Sequence, residues 1–242
     1  MQDNKPIRLD KAVSKVCKIS RTDAVRLIRR GFVEIDGEII KAADKKYDFN
    51  KCKIRVNGVD YSYRDKIYIM MNKQPGVVCT SADDELSVLN FLPDELYQND
   101  LFTIGRLDKD TTGLLLITND GELAHKIISP KKHIFKKYSA TLENPLSDSA
   151  INNLLSGVTL NDGELCKAES VNITNADIND IEIEITTGKY HQVKRMFAAV
   201  GNHVKTLKRL SIGGLMLDDN LQLGEAKNIT ILEIDKIFVH NT

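Results

Sequence analysis

The chain has 242 residues, 42% of them hydrophobic, enough to bury a sizeable core in one large domain or in a small one plus a medium one. Its longest apolar runs, Ile67 to Met71 and Leu114 to Ile117, fall far short of the roughly 20 residues of a membrane-spanning helix, and the polar start from Met1 to Arg8 is followed by no apolar stretch, so neither a membrane span nor a secretory signal is expected and the expected compartment is the cytosol. The formal net charge of zero hides an asymmetry: residues 1–60 carry 15 Lys and Arg against 9 Asp and Glu, an excess that fits either a footprint for nucleic-acid phosphate or a solvated basic face.

The first predicted element is a short helix over Arg8 to Val16, where Leu9, Ala12, Val13 and Val16 recur at i, i+3, i+4 and i+7 and make one apolar stripe. A second helix follows, capped by Ser20 and closed by Gly31, with Ala24, Val25, Leu27 and Ile28 on its buried side. Arg21, Arg26, Arg29 and Arg30 crowd its polar side, where few acidic partners lie within a turn. Next, Val33, Ile35, Ile39 and Ile40 flank Asp36-Gly37, a dipeptide suited to the type I′ turn of a two-residue hairpin. Asn57 to Lys66 is polar. The boundaries expected are therefore a module over 1–60, a linker over 61–66 and a second domain over 67–242.

The stretch RLDKAVSKVCKISRTDAVRLIRRGFVEIDGEII is similar to the S4 RNA-binding domain, over roughly residues 7–56. The resemblance implies that Arg8, Lys11, Ser20, Arg21, Arg26 and Arg29 face RNA phosphates, which supply position and affinity but little sequence information. The competing reading remains a solvated basic face.

From Ile67 onward longer strands alternate with helices, which suits an α+β domain. Ile67 to Met71 reads as a buried strand running into the turn Asn72-Lys-Gln-Pro-Gly76, which is expected to leave Lys73 exposed. The glycine-bounded loop Gly105 to Gly113 then precedes the apolar run Leu114 to Ile117. A loop at a strand end can present a carboxylate to a ligand without burying it unpaired, and on spacing alone Asp108 and Asp110 both qualify. Cys17, Cys52, Cys79 and Cys166 form no CxxC pair, and the five histidines show no metal-binding pattern, so neither disulfides nor a metal site is expected.

The segment GRLDKDTTGLLLITNDG resembles the signature of the pseudouridine synthases that modify ribosomal RNA. Carried onto this sequence, the resemblance makes Asp108 the family's catalytic aspartate, with Arg106 beside it and Thr112 and Gly113 shaping the same loop. A second block, KKYSATLE, places Tyr138 where the family has a tyrosine that stacks on the target base. A third, GKYHQVKRMF, makes Lys194 the cation that pairs with the aspartate and should keep it ionised. The fold implied is an α+β catalytic domain built on a mixed, mainly antiparallel sheet with flanking helices. Tyr138 also alternates with Ala140 and Leu142, which on pattern alone makes it a core residue. His191 and Arg195 either orient the loop or touch phosphate, and Lys73 is a further candidate for RNA contact.

Pseudouridine formation breaks the bond between uracil N1 and ribose C1′, turns the base, and rejoins it through C5. It is an isomerisation without net redox change, so no cofactor is expected. A carboxylate can attack covalently or remove a ribose proton as a glycal forms, and both routes stay open. The target nucleotide must leave the RNA stack, which is where a stacking tyrosine is needed. The block HQVKRMFAAVGNHVKTLKRLSIGG is similar to the RsuA branch, which implies small-subunit ribosomal RNA or an assembly intermediate as partner, of the position-516 type. A monomer is expected. Two departures stand out: Pro75 lies one place later than usual in the Asn72 to Gly76 turn, and Lys189 replaces a common arginine, losing its bidentate geometry. The alternatives are a synthase acting on large-subunit (23S) ribosomal RNA or transfer RNA and a non-catalytic RNA-binding ribosome-assembly factor.

Overall fold

The computed structural model describes residues 6–49, 51–61, 63, 66–80, 84–97, 100–177 and 179–239. The chain divides into two compact units, Met1–Lys66 and Ile67–Thr242. Residues 1–5 of the polar N-terminus and residues 62, 64 and 65 of the expected linker lie outside the described residues.

In the first unit, helices Leu9–Val16 and Arg21–Arg29 pack beside a four-stranded sheet. Their buried faces supply Leu9, Ala12, Val13, Ala24 and Ile28 to a core shared with Val33, Ile35, Ile54 and Val56. Ser20 caps the second helix by accepting from the Asp23 amide at 3.1 Å, and Gly31 ends it with φ +83°, the left-handed conformation that glycine adopts at low cost. Asp36 and Gly37, both at positive φ, turn the hairpin between Val33–Ile35 and Glu38–Ile39, as expected of a type I′ turn. The stretch read as polar linker is partly structured. Asn57 and Gly58, again both at positive φ, join Ile54–Val56 to a strand Val59–Tyr61, and Tyr63 is buried in the core of this unit.

The second unit is built on a nine-stranded sheet. Strands Tyr68–Lys73 and Thr112–Thr118 pair antiparallel, inside the edge strand Ala226–Asn228, and are buried along almost their whole length. Burial on both faces explains why they read as unbroken apolar runs. Alternate residues serve two cores: Ile69, Met71, Leu115 and Ile117 on one face, Tyr68, Met70, Leu114 and Leu116 on the other. Helix Gln192–Ala199 covers the first face with Val193, Met196 and Phe197, and helix Gly121–Ile128 covers the second with Leu123, Ala124 and Ile127. Of the pairings between strands of this sheet, Val204–Ile212 with Thr112–Thr118 is parallel and the rest are antiparallel, so the sheet is mixed and mainly antiparallel. That parallel join, Lys208 opposite Thr112 and Arg209 opposite Gly113, sets the end of the 105–111 loop against Val204–Ile212.

Candidate active site

The loop between Phe102–Ile104 and Thr112–Thr118 carries Asp108, and three features fix its backbone. Thr111 N donates to the Asp108 carbonyl at 3.1 Å, closing a turn. Gly76 N donates to the Lys109 carbonyl at 2.8 Å, tying the loop to the turn after Tyr68–Lys73. Lys73 sits beneath, fully buried rather than exposed as the turn pattern suggested. Its Nζ donates to the carbonyls of Asp108 at 3.0 Å, Thr111 at 2.9 Å, Gln74 at 3.1 Å and Lys109 at 3.3 Å. Burial pushes its pKa down. Lys73 therefore holds the loop from below and offers no surface to RNA.

Asp108 lines a cavity of about 410 Å³ together with Arg106, Tyr138, Lys136, Arg209 and His191. A more open groove of about 1250 Å³ shares Arg106, Asp108, Lys189 and His191 with it and adds the exposed ring of Tyr190. Tyr190 stacks on His191 with ring centroids 3.8 Å apart. His191 takes a left-handed backbone at the start of its helix, φ 48°, and brings Nε2 to 3.4 Å from Asp108 Oδ1. Gln192, buried behind it, accepts from Thr187 Oγ1 at 2.8 Å and from the Lys189 amide at 3.0 Å, fixing the turn that walls the cavity.

Lys194 is shared. Its Nζ lies 3.7 Å from Asp108 Oδ2 but 2.6 and 2.7 Å from the two oxygens of Asp110. The hydrogen bonds from Lys194 hold the Asp110 carboxyl below its ordinary value. The strong pairing expected for Asp108 is thus made by its neighbour in this structure. Asp110 is far more exposed and lines neither cavity.

Tyr138 is both a core residue and a cavity residue. It is buried on strand Lys136–Leu142, packs in the larger core, and lines the smaller cavity. It pairs across the strands with Arg209, next to a register shift between Lys137 and Tyr138. Bulges of this kind re-aim side chains beside active sites.

Several expected residues stand elsewhere. Thr112 donates to the Leu207 carbonyl at 3.4 Å and lines neither cavity, whereas its neighbour Thr111 does line the smaller one. Arg195 pairs with Asp162 and donates to the Tyr190 carbonyl at 3.3 Å, again away from both cavities. In the N-terminal unit, Arg8 and Arg21 both reach the buried Asp10 at 2.9 Å, and Arg26 pairs with Asp23 at 2.8 Å, so the arginine-rich helix has acidic partners after all. The Ser20 hydroxyl is engaged with Asp23. Lys11 and Arg29 are exposed. Sequence reasoning missed Thr111, Lys136 and Arg209 as cavity residues. Lys136 was within reach, because it precedes Tyr138 by two on one strand and so shares its face.

The family described as RNA pseudouridylate synthase matches residues 67–199. Ribosomal small subunit pseudouridine synthase A of Escherichia coli K12 is 41% identical over 96% of this chain and the whole of its own length. The uncharacterized RNA pseudouridine synthase YtzG of Bacillus subtilis strain 168 is 40% identical, covering 94% of this chain and 97% of that protein. A solved pseudouridylate synthase is 36% identical and superposes with a TM-score of 0.66 over 96% of this chain and 99% of its own. A catalytic unit matched over most of its length, and relatives aligned from end to end at about 40% identity, establish that the chain belongs to the RNA pseudouridylate synthase family, in its RsuA-type branch.

Proposed function

We propose that the chain isomerises a uridine of small-subunit ribosomal RNA to pseudouridine, of the position-516 type, with Asp108 as the reacting carboxylate. The observation that carries this reading is Asp108 lining a cavity with Tyr138 in its wall and His191 and Lys194 within 4 Å of the carboxylate. A cavity of about 410 Å³ suits a single flipped nucleotide, and a base drawn from the RNA stack needs a replacement surface, which the Tyr138 ring offers. Asp108 supplies the group that either bonds C1′ or takes a ribose proton; Lys194 supplies positive charge 3.7 Å from it, and the His191 imidazole stands 3.4 Å away on its other oxygen. The adjoining groove, with Arg106, Lys189 and the stacked Tyr190–His191 pair, suits the nucleotides on either side of the target. The choice of small-subunit RNA rests on the relatives of about 40% identity that carry that name. The basic N-terminal unit is read as an S4-like grip on RNA phosphates.

The test is to incubate the protein with small-subunit ribosomal RNA, and with assembly intermediates, without added cofactors, and to map pseudouridine by carbodiimide-dependent reverse-transcription stops. One new stop, absent with Asp108→Asn while RNA binding persists, is expected. Turnover by Asp108→Asn would remove Asp108 from its role, and a stop only in large-subunit RNA would reassign the substrate.

A further inference from the structure

The smaller cavity has an unusual floor. Lys136 and Arg209 both line it, and neither has an acidic partner among the described residues. Lys136 uses two of its three N–H groups on the carbonyls of Ile134 at 3.1 Å and Thr186 at 3.2 Å, leaving one free. Arg209 is 3% exposed, donates through Nε to the Leu114 carbonyl at 2.8 Å, and has no acceptor for Nη2. Among the described residues four buried side-chain polar atoms lack a partner, and two of them, Arg209 Nη2 and Thr111 Oγ1, belong to residues of this cavity wall. Buried donors without acceptors cost free energy in the empty protein and are kept where something else supplies the acceptor. Two like charges in one cavity wall, Arg209 buried and Lys136 half-buried, call for an acceptor that carries negative charge.

We propose that Lys136 and Arg209 hold the O2 and O4 oxygens of the target uracil and stabilise the detached base as an anion while it turns. This rests on the reading of the cavity as the uridine pocket. When the N1–C1′ bond breaks, its electron pair stays on N1 and spreads onto O2 and O4. C1′ is satisfied by the Asp108 carboxylate, or by loss of the ribose 2′ proton to it. The base then turns about the line through N3 and C6, which exchanges N1 with C5 and O2 with O4. Donors placed to meet both oxygens therefore serve the base before and after the turn. C5 bonds C1′ as the ester is displaced or the glycal regains its proton; C5 then gives up its hydrogen as a proton, and N1 takes one. Lys136 and Tyr138 share a strand face, and Arg209 pairs with Tyr138 across the strands, so both cations stand beside the ring read here as the stacking surface. Burial, and secondarily the Arg209 charge, lower the Lys136 pKa to about 8, as expected of a cation held without a counter-ion.

The test uses a property of the leaving group. Fluorine at C5 withdraws electrons and makes the uracil anion more stable, so 5-fluorouridine needs less help from the floor. Small-subunit RNA carrying uridine or 5-fluorouridine at the target is treated with excess enzyme in single turnover, and loss of the N-linked nucleoside is followed by mass spectrometry of digests. Lys136→Gln and Arg209→Gln are each expected to slow uridine roughly 100-fold, the usual effect of removing one charge-stabilising donor. The deficit should shrink about tenfold on 5-fluorouridine, and RNA affinity should be unchanged. Equal deficits on both substrates, or a loss confined to RNA affinity as a phosphate site would give, overturn the inference. If Arg209→Gln does not fold, Arg209→Lys and Lys136→Gln carry the same comparison. Wild-type enzyme that converts neither substrate, nor any uridine of large-subunit RNA, overturns the uridine-pocket reading and this inference with it, whereas an active wild type with unimpaired variants overturns only this inference.

Discussion

A lysine enclosed on all sides is tolerated only when its N–H groups find oxygen atoms, and Lys73 finds four carbonyls, three of them from the loop that carries Asp108. Lys73→Met strips the donor and leaves those carbonyls facing a hydrocarbon. It should destabilise the protein by about 2–4 kcal/mol in urea unfolding and lower kcat at least tenfold with little change in KM, because the loop moves while the RNA surface does not; full activity would show that the loop holds itself. Asp110 makes the opposite case. It is exposed and binds Lys194 closely, so Asp110→Asn should cost under about 1 kcal/mol, free Lys194 to approach Asp108, and retain turnover within about tenfold of wild type, where Asp108→Asn retains none. Asp10 gives a pH dependence. Its hydrogen bonds from Arg8, then from Arg21, hold it at about 2 against an ordinary 3.8. A depressed carboxylate contributes stability above the unfolded value and loses it as pH falls from 3.8 towards 2, so the advantage of wild type over Asp10→Asn, on the order of 2 kcal/mol at pH 6, should vanish across that window. None of these partners is visible in residue type. Lysine at the end of a buried strand and before Pro75-Gly76 looks like a surface residue because three of its four acceptors come from 35 or more positions away.

At the level of elements, local signals were legible and long-range ones were not. The paired positive-φ turn at Asp36-Gly37, the Ser20 cap and the buried runs of the central strands follow from short-range chemistry and stand where the pattern put them. The second hairpin carried an equally good signal in Asn57-Gly58, but its strands of three residues are too short for alternation to outweigh their polarity. The parallel join of Thr112–Thr118 to Val204–Ile212 could not be read at all, since it brings Arg209 to Gly113 across almost a hundred residues. Gly113 is what permits that join. It has φ +96°, and a Cβ there would lie 2.3 Å from the Arg209 carbonyl oxygen. Gly113→Ala forces the two strands apart just where the loop carrying Asp108 ends. The left-handed backbone alone costs about 1–2 kcal/mol, and with the backbone clash we expect a loss of at least about 3 kcal/mol, a fall in Tm of roughly 6–12 °C. An unchanged Tm would mean the strands can slide without cost. Asp108, Tyr138 and Lys194 could be singled out as candidates because they lie in continuous motifs, while Arg209 and Thr111 emerge only when sheet register brings them to one cavity.

Across the whole molecule, the balance of charge is zero while the N-terminal quarter carries six more basic than acidic residues. The ion pairs sort that excess into two kinds. Arg8 and Arg21 are committed to the buried Asp10, and Arg26 to Asp23, so replacing them disturbs folding or local structure as well as any RNA contact. Lys11 and Arg29 have no ion pair among the described residues and stand exposed, so they are the cleaner probes of a phosphate grip. Each phosphate contact to single-stranded RNA releases counterions worth about 0.7 in the slope of log affinity against log salt. Lys11→Gln with Arg29→Gln should therefore leave Tm unchanged, since surface substitutions of this kind stay within about 0.5 kcal/mol, and should flatten that slope by roughly 1.4. Fluorescence anisotropy of a labelled ribosomal RNA fragment titrated across KCl concentrations reads both affinity and slope. A slope equal to wild type would move the grip away from this basic unit and onto the Arg106 and Lys189 side of the groove beside Asp108, where Arg106→Gln with Lys189→Gln would then be expected to flatten it.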